Sequence, residues 1–446
     1  MSQKVICDPV HHHIYIDTKE EKLILDLLAS KEVQRLRRIH QLGVSYYTYP
    51  GAEHSRFSHA LGTFHLTKLA LKYLEDNEGK RLLTKKDRLA MLAAGLLHDV
   101  GHAPFSHVLE NKYGNEHEVW TAKLITSGSS EINEVLKTYD RTLPKIIVDI
   151  LFHPTDKYTL FNSLLSGQLD VDRMDYLLRD SYFCGNSYGN FDYRWILHTM
   201  QIGTIGSGKT RMQLPMWTEK AIMAIEDYIF ARYNMYWTVY YHRATRGYEE
   251  LLIAIFERAR YLIQKDRRID FLSEKLKKFI ITPDKMGYDD FIFLDDTVLF
   301  SQFRIWEDSR DKILCDLCRR FLNRNGLKWV DIREEKNLVS NQKTIEKARA
   351  DIKTVLKRAG YDASYYFLES VSAAKAYSYY HFEKESAEQS AATTIFILDK
   401  KGIPTEISSR KGMQRLRVIT GEIEAKKYYY VPVECRDKVN EILDRQ

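Results

Sequence analysis

The 446-residue chain has only five cysteines, an odd and scattered set at positions 7, 184, 315, 318 and 435. That excludes a disulfide framework. Cys315 and Cys318 form one C-x-x-C inside the helix-like run KILCDLCRRFL, and no second C-x-x-C accompanies it. Ordinary helix packing is the expected use. No stretch approaches ~18 apolar residues, so no membrane-spanning helix is expected. The opening MSQKVICDPVHHHIYID lacks a basic region followed by an apolar core, so it does not read as a secretory signal. A cytoplasmic location is expected. A strong charge excess is also missing: 67 Lys and Arg against 61 Asp and Glu leave +6, which permits anionic ligands without demanding nucleic acid. Internal repeats and low-complexity tracts are absent. What remains is globular, since 44% hydrophobic and 29% charged residues exclude a disordered or collagen-like chain. Tyrosine is plentiful at 29, often in pairs or triplets.

Residues 4–17 read as two short strands around Asp8-Pro9, with His11, His12 and His13 in a native strand. From 19 to about 270 the periodicity is helical. Two helices divide near Ala29-Ser30, and Thr84 with Asp87 resembles a capping box for a helix over about 85–98. Residues 216–245 read as one long aromatic helix, and 247–265 continues helical. Residues 276–305 mix turn signals with FIFLDD, and 309–324 reads as a helix. KWVDI, 342–358 and ASYYFLE then read as strand, helix, strand. Residues 393–433 read as one small sheet, and 434–444 as a closing helix. The expected fold is mainly α, with short N-terminal strands, a catalytic body over 1–275 and a smaller α+β region over 276–446 that contributes to assembly.

Gly203-Thr204-Ile205-Gly206-Ser207-Gly208-Lys209-Thr210 fits the phosphate-loop pattern G-x-x-x-x-G-K-[ST]. That pattern carries meaning only between a buried strand and a helix whose N-terminus holds the phosphate. Here RMQLPM follows, alternating and ending at Pro215. A hairpin with an exposed glycine turn is the reading instead.

Three other segments are more specific: GAEHSRFSHALG (51–62), GLLHDVGHAPFSH (95–107) and GQLDVDRMDYLLRD (167–180). Adjacent His98 and Asp99 end an apolar helix and offer a nitrogen and an oxygen ligand on one turn. His59 and Asp172 complete a His₂Asp₂ set. Such a mixture suits iron, manganese, cobalt, nickel or zinc and is too nitrogen-rich for a typical magnesium site.

With DPVHHHIYI, EVQRLRRIHQLG and the later YYHR, these strings resemble the HD-domain phosphohydrolase superfamily, whose ligands follow the order H…HD…D. The likeness is closest to the deoxynucleoside triphosphate (dNTP) triphosphohydrolases, both bacterial enzymes and the vertebrate sterile-alpha-motif/HD type. It covers most of the chain, and ESVSAAKAYSYY resembles the group's tail. The resemblance implies an HD-domain helical core with His59, His98, Asp99 and Asp172 as ligands of one divalent transition metal. Asp172 is chosen over Asp170 because it matches the second aspartate of the D-V-D string. Asp172, Asp175 or Tyr176, and Arg179 also recur at helical spacing, near one face. His102 and His107 are implied to contact phosphate. His117, oriented by Glu118, is implied to protonate the leaving oxygen. Arg56, Arg173 and Arg232 are implied to offset triphosphate charge, with Mg²⁺ on its outer oxygens. Tyr176 and Tyr240 would bracket the sugar or base, and Gln41 and Asp180 would read the sugar. His54 and His65 match no catalytic position and read as structural or rim residues.

The implied reaction converts a dNTP to deoxynucleoside and inorganic triphosphate. The alternative within the superfamily is a monophosphate, cyclic dinucleotide or alarmone; a nucleic-acid-binding role has no signature to support it. A homodimer or homotetramer is implied, with a nucleotide activator at an interface. Lys4, Val5, Gln34 and Arg37 match that regulatory site. The aspartate that reads guanine in the vertebrate type is Ala29 here, and a neighbouring asparagine is Cys7. Alanine accepts no hydrogen bond from the base, so an activator that is not strictly guanine is expected.

Overall fold

The computed structural model describes residues 2–445 except 106–107, 111–115, 154–156, 207–210, 333–341, 375–393, 411, 414–415 and 417–423. His107 lies outside the described residues, as do the second half of the tail string and residues 207–210 of the expected glycine turn. The fold is mainly α with small sheets, as the periodicity implies.

Strands β1 (Gln3–Asp8) and β2 (His12–Asp17) pair antiparallel, with Cys7 opposite His13. Helices α1 (Lys22–Ala29) and α2 (Lys31–Arg35) follow, divided at Ser30. The bundle around the site consists of α3 (Arg56–Glu78), α4 (Lys85–Leu97), α5 (His117–Thr126) and α6 (Val171–Phe183). Thr84 caps α4 by accepting from the Asp87 amide at 3.1 Å. Ala90, Ala93, Ala94 and Leu97 of α4 are fully buried, so its small residues let α3 approach closely.

Strands β3 (Met200–Ile205) and β4 (Met212–Thr218) form an antiparallel pair with Gly203 opposite Leu214. A strand, not a helix, therefore follows the phosphate-loop pattern. The expected helix over 216–245 is corrected in three ways. Residues 216–218 end β4, α7 (Ile222–Met235) runs into a π turn over Tyr236–Tyr240, and the chain breaks before α8 (Arg243–Gln264). Residues 276–305, where turn signals are mixed with FIFLDD, are largely helical, including Tyr288–Phe293 and α9 (Asp296–Trp306). Phe303 of α9 meets Phe256 of α8 edge to face at 5.9 Å. Residues beyond 275 thus share the main core.

The C-terminal strands also differ from expectation. ASYYFLE begins as a helical turn, Ala363–Tyr366, before β5 (Leu368–Ala374). Residues 393–433 divide between two sheets. Phe396–Leu398 and Pro404–Glu406 extend the β3–β4 pair, Trp217 aligning in parallel with Ile397. Glu424–Val431 instead lies between Lys328–Asp331 and β5. Among the described residues no helix is long and apolar enough to cross a membrane.

Candidate active site

His59 lies one turn into α3. Its Nδ1 faces Asp175 Oδ2 of α6 at 2.8 Å. His98 follows the end of α4, and its Nδ1 faces the Gly95 carbonyl at 3.1 Å. Each neighbour is an acceptor, so each Nδ1 carries the proton in the neutral ring and each Nε2 keeps its lone pair. Those two Nε2 atoms face each other at 3.3 Å, and Asp172 Oδ1 lies 3.0 and 3.4 Å from them. Asp99 adds oxygens 3.8 Å from His59 and 3.5 Å from His98. Two lone pairs and the Asp172 carboxylate converging on one point, with Asp99 beside them, call for a cation, and the nitrogen–oxygen mixture fits a divalent transition metal. The carboxylates attract positive charge to this point. Burial opposes charging His59, yet Asp172 and Asp175 outweigh it and push its pKa up to about 10. Burial likewise opposes ionising Asp172, but His59 and His98 hold its pKa below the usual range.

Local sequence explains the convergence. Asp170 caps α6, accepting from the Arg173 amide at 2.7 Å, which leaves Asp172 in the first turn facing α3. Behind His59 lies a buried ionic web. Asp175 also receives His11 at 2.6 Å and Arg179 at 2.9 Å, and Arg179 reaches Asp8 at 2.8 Å. Burial would raise the Asp175 pKa, but Arg179, His11 and His59 hold it well below the usual range. Gly62 makes this possible: a Cβ there would lie 1.8 Å from Asp175 Oδ1. Asp175 and Arg179 thus support a metal ligand rather than contact substrate. Asp8 and His11 went unassigned in the sequence.

A second cluster adjoins the first. Asp99 Oδ1 lies 3.3 Å from His102 Nε2, and Arg56 donates to Asp99 Oδ2 at 2.6 Å. The His102 and His117 rings stack at 3.9 Å. The two rings are set apart electrostatically. Burial, then Arg56, drives the His102 pKa well down. Burial opposes charging His117, but its hydrogen bond to Glu110, 2.8 Å from Nδ1, raises its pKa overall. The carboxylate on His117 is therefore Glu110; Glu118 is exposed on α5. Gly101 lets α5 dock against the His98–His102 turn, since a Cβ would lie 2.2 Å from the His117 carbonyl. Arg35, fully buried, donates to the His102 carbonyl at 2.9 Å. From α9, Asp296 accepts from the Phe105 amide at 3.2 Å and from the His40 amide at 2.8 Å.

These groups open onto a cavity of about 510 Å³, within the range of small-ligand sites. Gln41, Arg56, His59, Asp99, His102, His117, Asp172, Tyr176, Asp180 and Tyr240 line it together. Asp180 is fixed from two sides, by His54 at 2.7 Å and by the Tyr240 hydroxyl at 2.9 Å. His54 is thus a structural anchor. Gln41 Oε1 is buried and has no partner among the described residues. Tyr176 and Tyr240 meet edge to face at 6.1 Å. The π turn presents Tyr236, Tyr240 and Tyr241 to the same space, a deformation common at functional sites.

Two expected phosphate contacts are not brought to the cavity wall. Arg173 is held by Asp170 and by the Gly167 carbonyl, the latter at 2.6 Å. Arg232 packs over the Tyr236 ring at 5.8 Å. The wall instead includes Arg246 and Glu249, which sequence reasoning missed. Lys4, Val5, Gln34 and Arg37 lie elsewhere. Lys4 and Val5 are exposed on β1, and Arg37 accompanies Gln34 at 2.9 Å while stacking on Phe57 at 3.6 Å.

Comparison with known proteins agrees with this geometry. The HD domain family matches residues 56–180, which span His59 to Asp180. The chain is 35% identical over 431 residues to the uncharacterized protein YwfO of Bacillus subtilis, covering 96% of this chain and 92% of that protein. It is 28% identical over 292 residues to the deoxynucleoside triphosphate triphosphohydrolase SAMHD1 of Gallus gallus, covering 57% of this chain and 45% of that protein. The solved structure of a phosphohydrolase from Bacteroides thetaiotaomicron superposes with a TM-score of 0.76 at 29% identity, covering 96% of this chain and 99% of that one. The chain belongs to the HD-domain phosphohydrolase superfamily, close to its deoxynucleoside triphosphate triphosphohydrolases.

Proposed function

We propose that this phosphohydrolase acts on dNTPs and releases the deoxynucleoside and intact inorganic triphosphate. The observation that carries the reading is one cavity lined both by His59 and Asp172 of the His59–His98–Asp172 cluster and by the acceptors Gln41 and Asp180. The cluster suits phosphate chemistry, and the acceptors suit a sugar hydroxyl. The Tyr176–Tyr240 corner can pack beneath a deoxyribose and exclude a 2′-hydroxyl by sterics. A divalent transition ion held by His59, His98, Asp99 and Asp172 supplies Lewis acidity at phosphorus and lowers the pKa of a water. Arg56 and the protonated His117 offer positive charge, neutral His102 offers a hydrogen bond to phosphate oxygens, and Mg²⁺ can neutralise the outer ones.

In the reaction a water oxygen bonds to the α-phosphorus and the bond from that phosphorus to O5′ breaks. His117, kept protonated by Glu110, delivers the proton to O5′. Product analysis with purified, metal-loaded protein tests this. Deoxynucleoside plus triphosphate supports it; monophosphate plus pyrophosphate, or diphosphate plus orthophosphate, refutes the assigned cleavage position.

Assembly and regulation belong to the same reading. A homodimer or homotetramer with a nucleotide at Lys4, Val5, Gln34 and Arg37 is proposed, with an activator that is not strictly guanine because Ala29 reads no base edge. Activity with each dNTP alone and in pairs, with GTP as a separate additive, tests it; a strict requirement for GTP or dGTP refutes it.

A further inference from the structure

Glu249 is a cavity-lining carboxylate that the hydrolysis described above does not use. It sits on α8 one turn after Arg246, and both face the substrate cavity beside Tyr241. Arg246 meets Glu249 Oε2 and also approaches Glu250 at 3.6 Å. Arg246 Nε donates to Ser370 of β5 at 3.0 Å. The anchor between α8 and the C-terminal sheet therefore does not depend on Glu249. Glu249 Oε1 has no protein partner among the described residues. The side chain is only 15% exposed, so this oxygen is open to the cavity more than to bulk solvent. Burial pushes the carboxyl up to about 7 despite the neighbouring guanidinium.

Charge orients a ligand in this cavity. Arg56 and His117 attract a phosphate chain toward the metal cluster. On the α8 wall the Glu249 carboxylate is paired with Arg246, so that wall offers a phosphate chain no net positive charge. A nucleotide seated by its phosphates turns its base toward α8. A carboxylate beside a guanidinium is a selective reader of bases. Guanine offers adjacent N1–H and N2–H donors for the carboxylate and O6 as acceptor for the guanidinium. Adenine and cytosine each set a ring-nitrogen acceptor beside their one amino group, which a carboxylate repels. Thymine has a single donor between two carbonyls.

We propose that Glu249, with Arg246, reads the base edge and makes guanine the preferred base in the catalytic cavity. The inference rests on the nucleotide reading above. It concerns the catalytic cavity and is independent of the interfacial activator. The contact selects through binding, so its signature is in KM.

The test compares dGTP, dITP and dATP in wild type and Glu249→Gln, with all assays at saturating activator. Inosine lacks only the N2 amino group, so wild type alone already probes the contact. Losing one hydrogen bond to a charged group predicts a kcat/KM for dGTP roughly tenfold or more above that for dITP. Glu249→Gln brings the two within about twofold by raising KM for dGTP, because an amide offers one acceptor where the carboxylate offers two. A merely structural role for Glu249 lowers activity on all three substrates together. Equal wild-type activity on dGTP and dITP overturns the proposal, as does a Gln variant that keeps the wild-type ratio, and in both cases dNTP hydrolysis stands. Hydrolysis of no dNTP removes the nucleotide reading and this proposal together.

Discussion

Replacing Gly62 with alanine separates the supporting web from generic helix energetics. Gly62 lies in the interior of α3, where alanine ordinarily gains ~1 kcal/mol from backbone entropy. The structure predicts the opposite sign. A Cβ there sits 1.8 Å from Asp175 Oδ1 and 2.5 Å from Arg179 Nη2. Neither partner can yield cheaply, because both are fully buried. Overpacking costs ~1–3 kcal/mol, and breaking a buried ion pair ~3–5 kcal/mol. With partial relaxation and the helix gain subtracted, the net loss is on the order of 2–4 kcal/mol. The same displacement takes Asp175 from His59 Nδ1, so metal affinity falls ~10–100-fold, the usual cost of losing a ligand's outer partner. Urea unfolding of the metal-free protein reads the first quantity, and competitive Mn²⁺ titration reads the second. A Gly62→Ala protein as stable as wild type, with unchanged Mn²⁺ affinity, refutes the argument.

Asp172→Ala removes the oxygen nearest both ligand nitrogens; metal content after dialysis and hydrolysis both fall to background while the circular dichroism spectrum stays native. Glu110→Gln withdraws the charge that favours the His117 proton. That proton is present below the raised pKa and is lost as pH rises through it, so the alkaline limb of kcat moves to lower pH in the variant; an unmoved limb refutes the assignment. Glu249 is raised from 4.5 to about 7. A raised carboxyl contributes its stability fully below its unfolded value and loses it as pH climbs through 7. Wild type therefore loses stability relative to Glu249→Gln between pH 4.5 and 8, on the order of 2–3 kcal/mol, measurable by urea unfolding across that range.

The metal-type ligands were legible because each sits in a short string at or near a helix end, where local rules decide its direction. Thr84 stops and starts the chain for His98, and Asp170 caps the helix that presents Asp172. The supporting web was not legible, since His11 reaches Asp175, and Asp8 reaches Arg179, only across the fold. Glu118 illustrates a related failure. Adjacent helix residues point about 100° apart, so the neighbour in sequence faces solvent while Glu110, seven residues earlier, closes on the ring. The phosphate contacts expected of Arg173 and Arg232 rest on the resemblance, which does not say where each side chain turns. Their directions depend on Asp170 and on the π turn, which no single-sequence period reveals. The C-terminal strands had clear β character, but their division between two sheets depends on long-range pairing with β4 and β5.

Hydrolysis in ¹⁸O-labelled water tests the central claim most directly, with each dNTP and the metal-loaded enzyme. Attack at the α-phosphorus with departure of O5′ predicts one label in inorganic triphosphate and none in the deoxynucleoside. Label in the 5′-hydroxyl, or label appearing in monophosphate, pyrophosphate or orthophosphate, contradicts it.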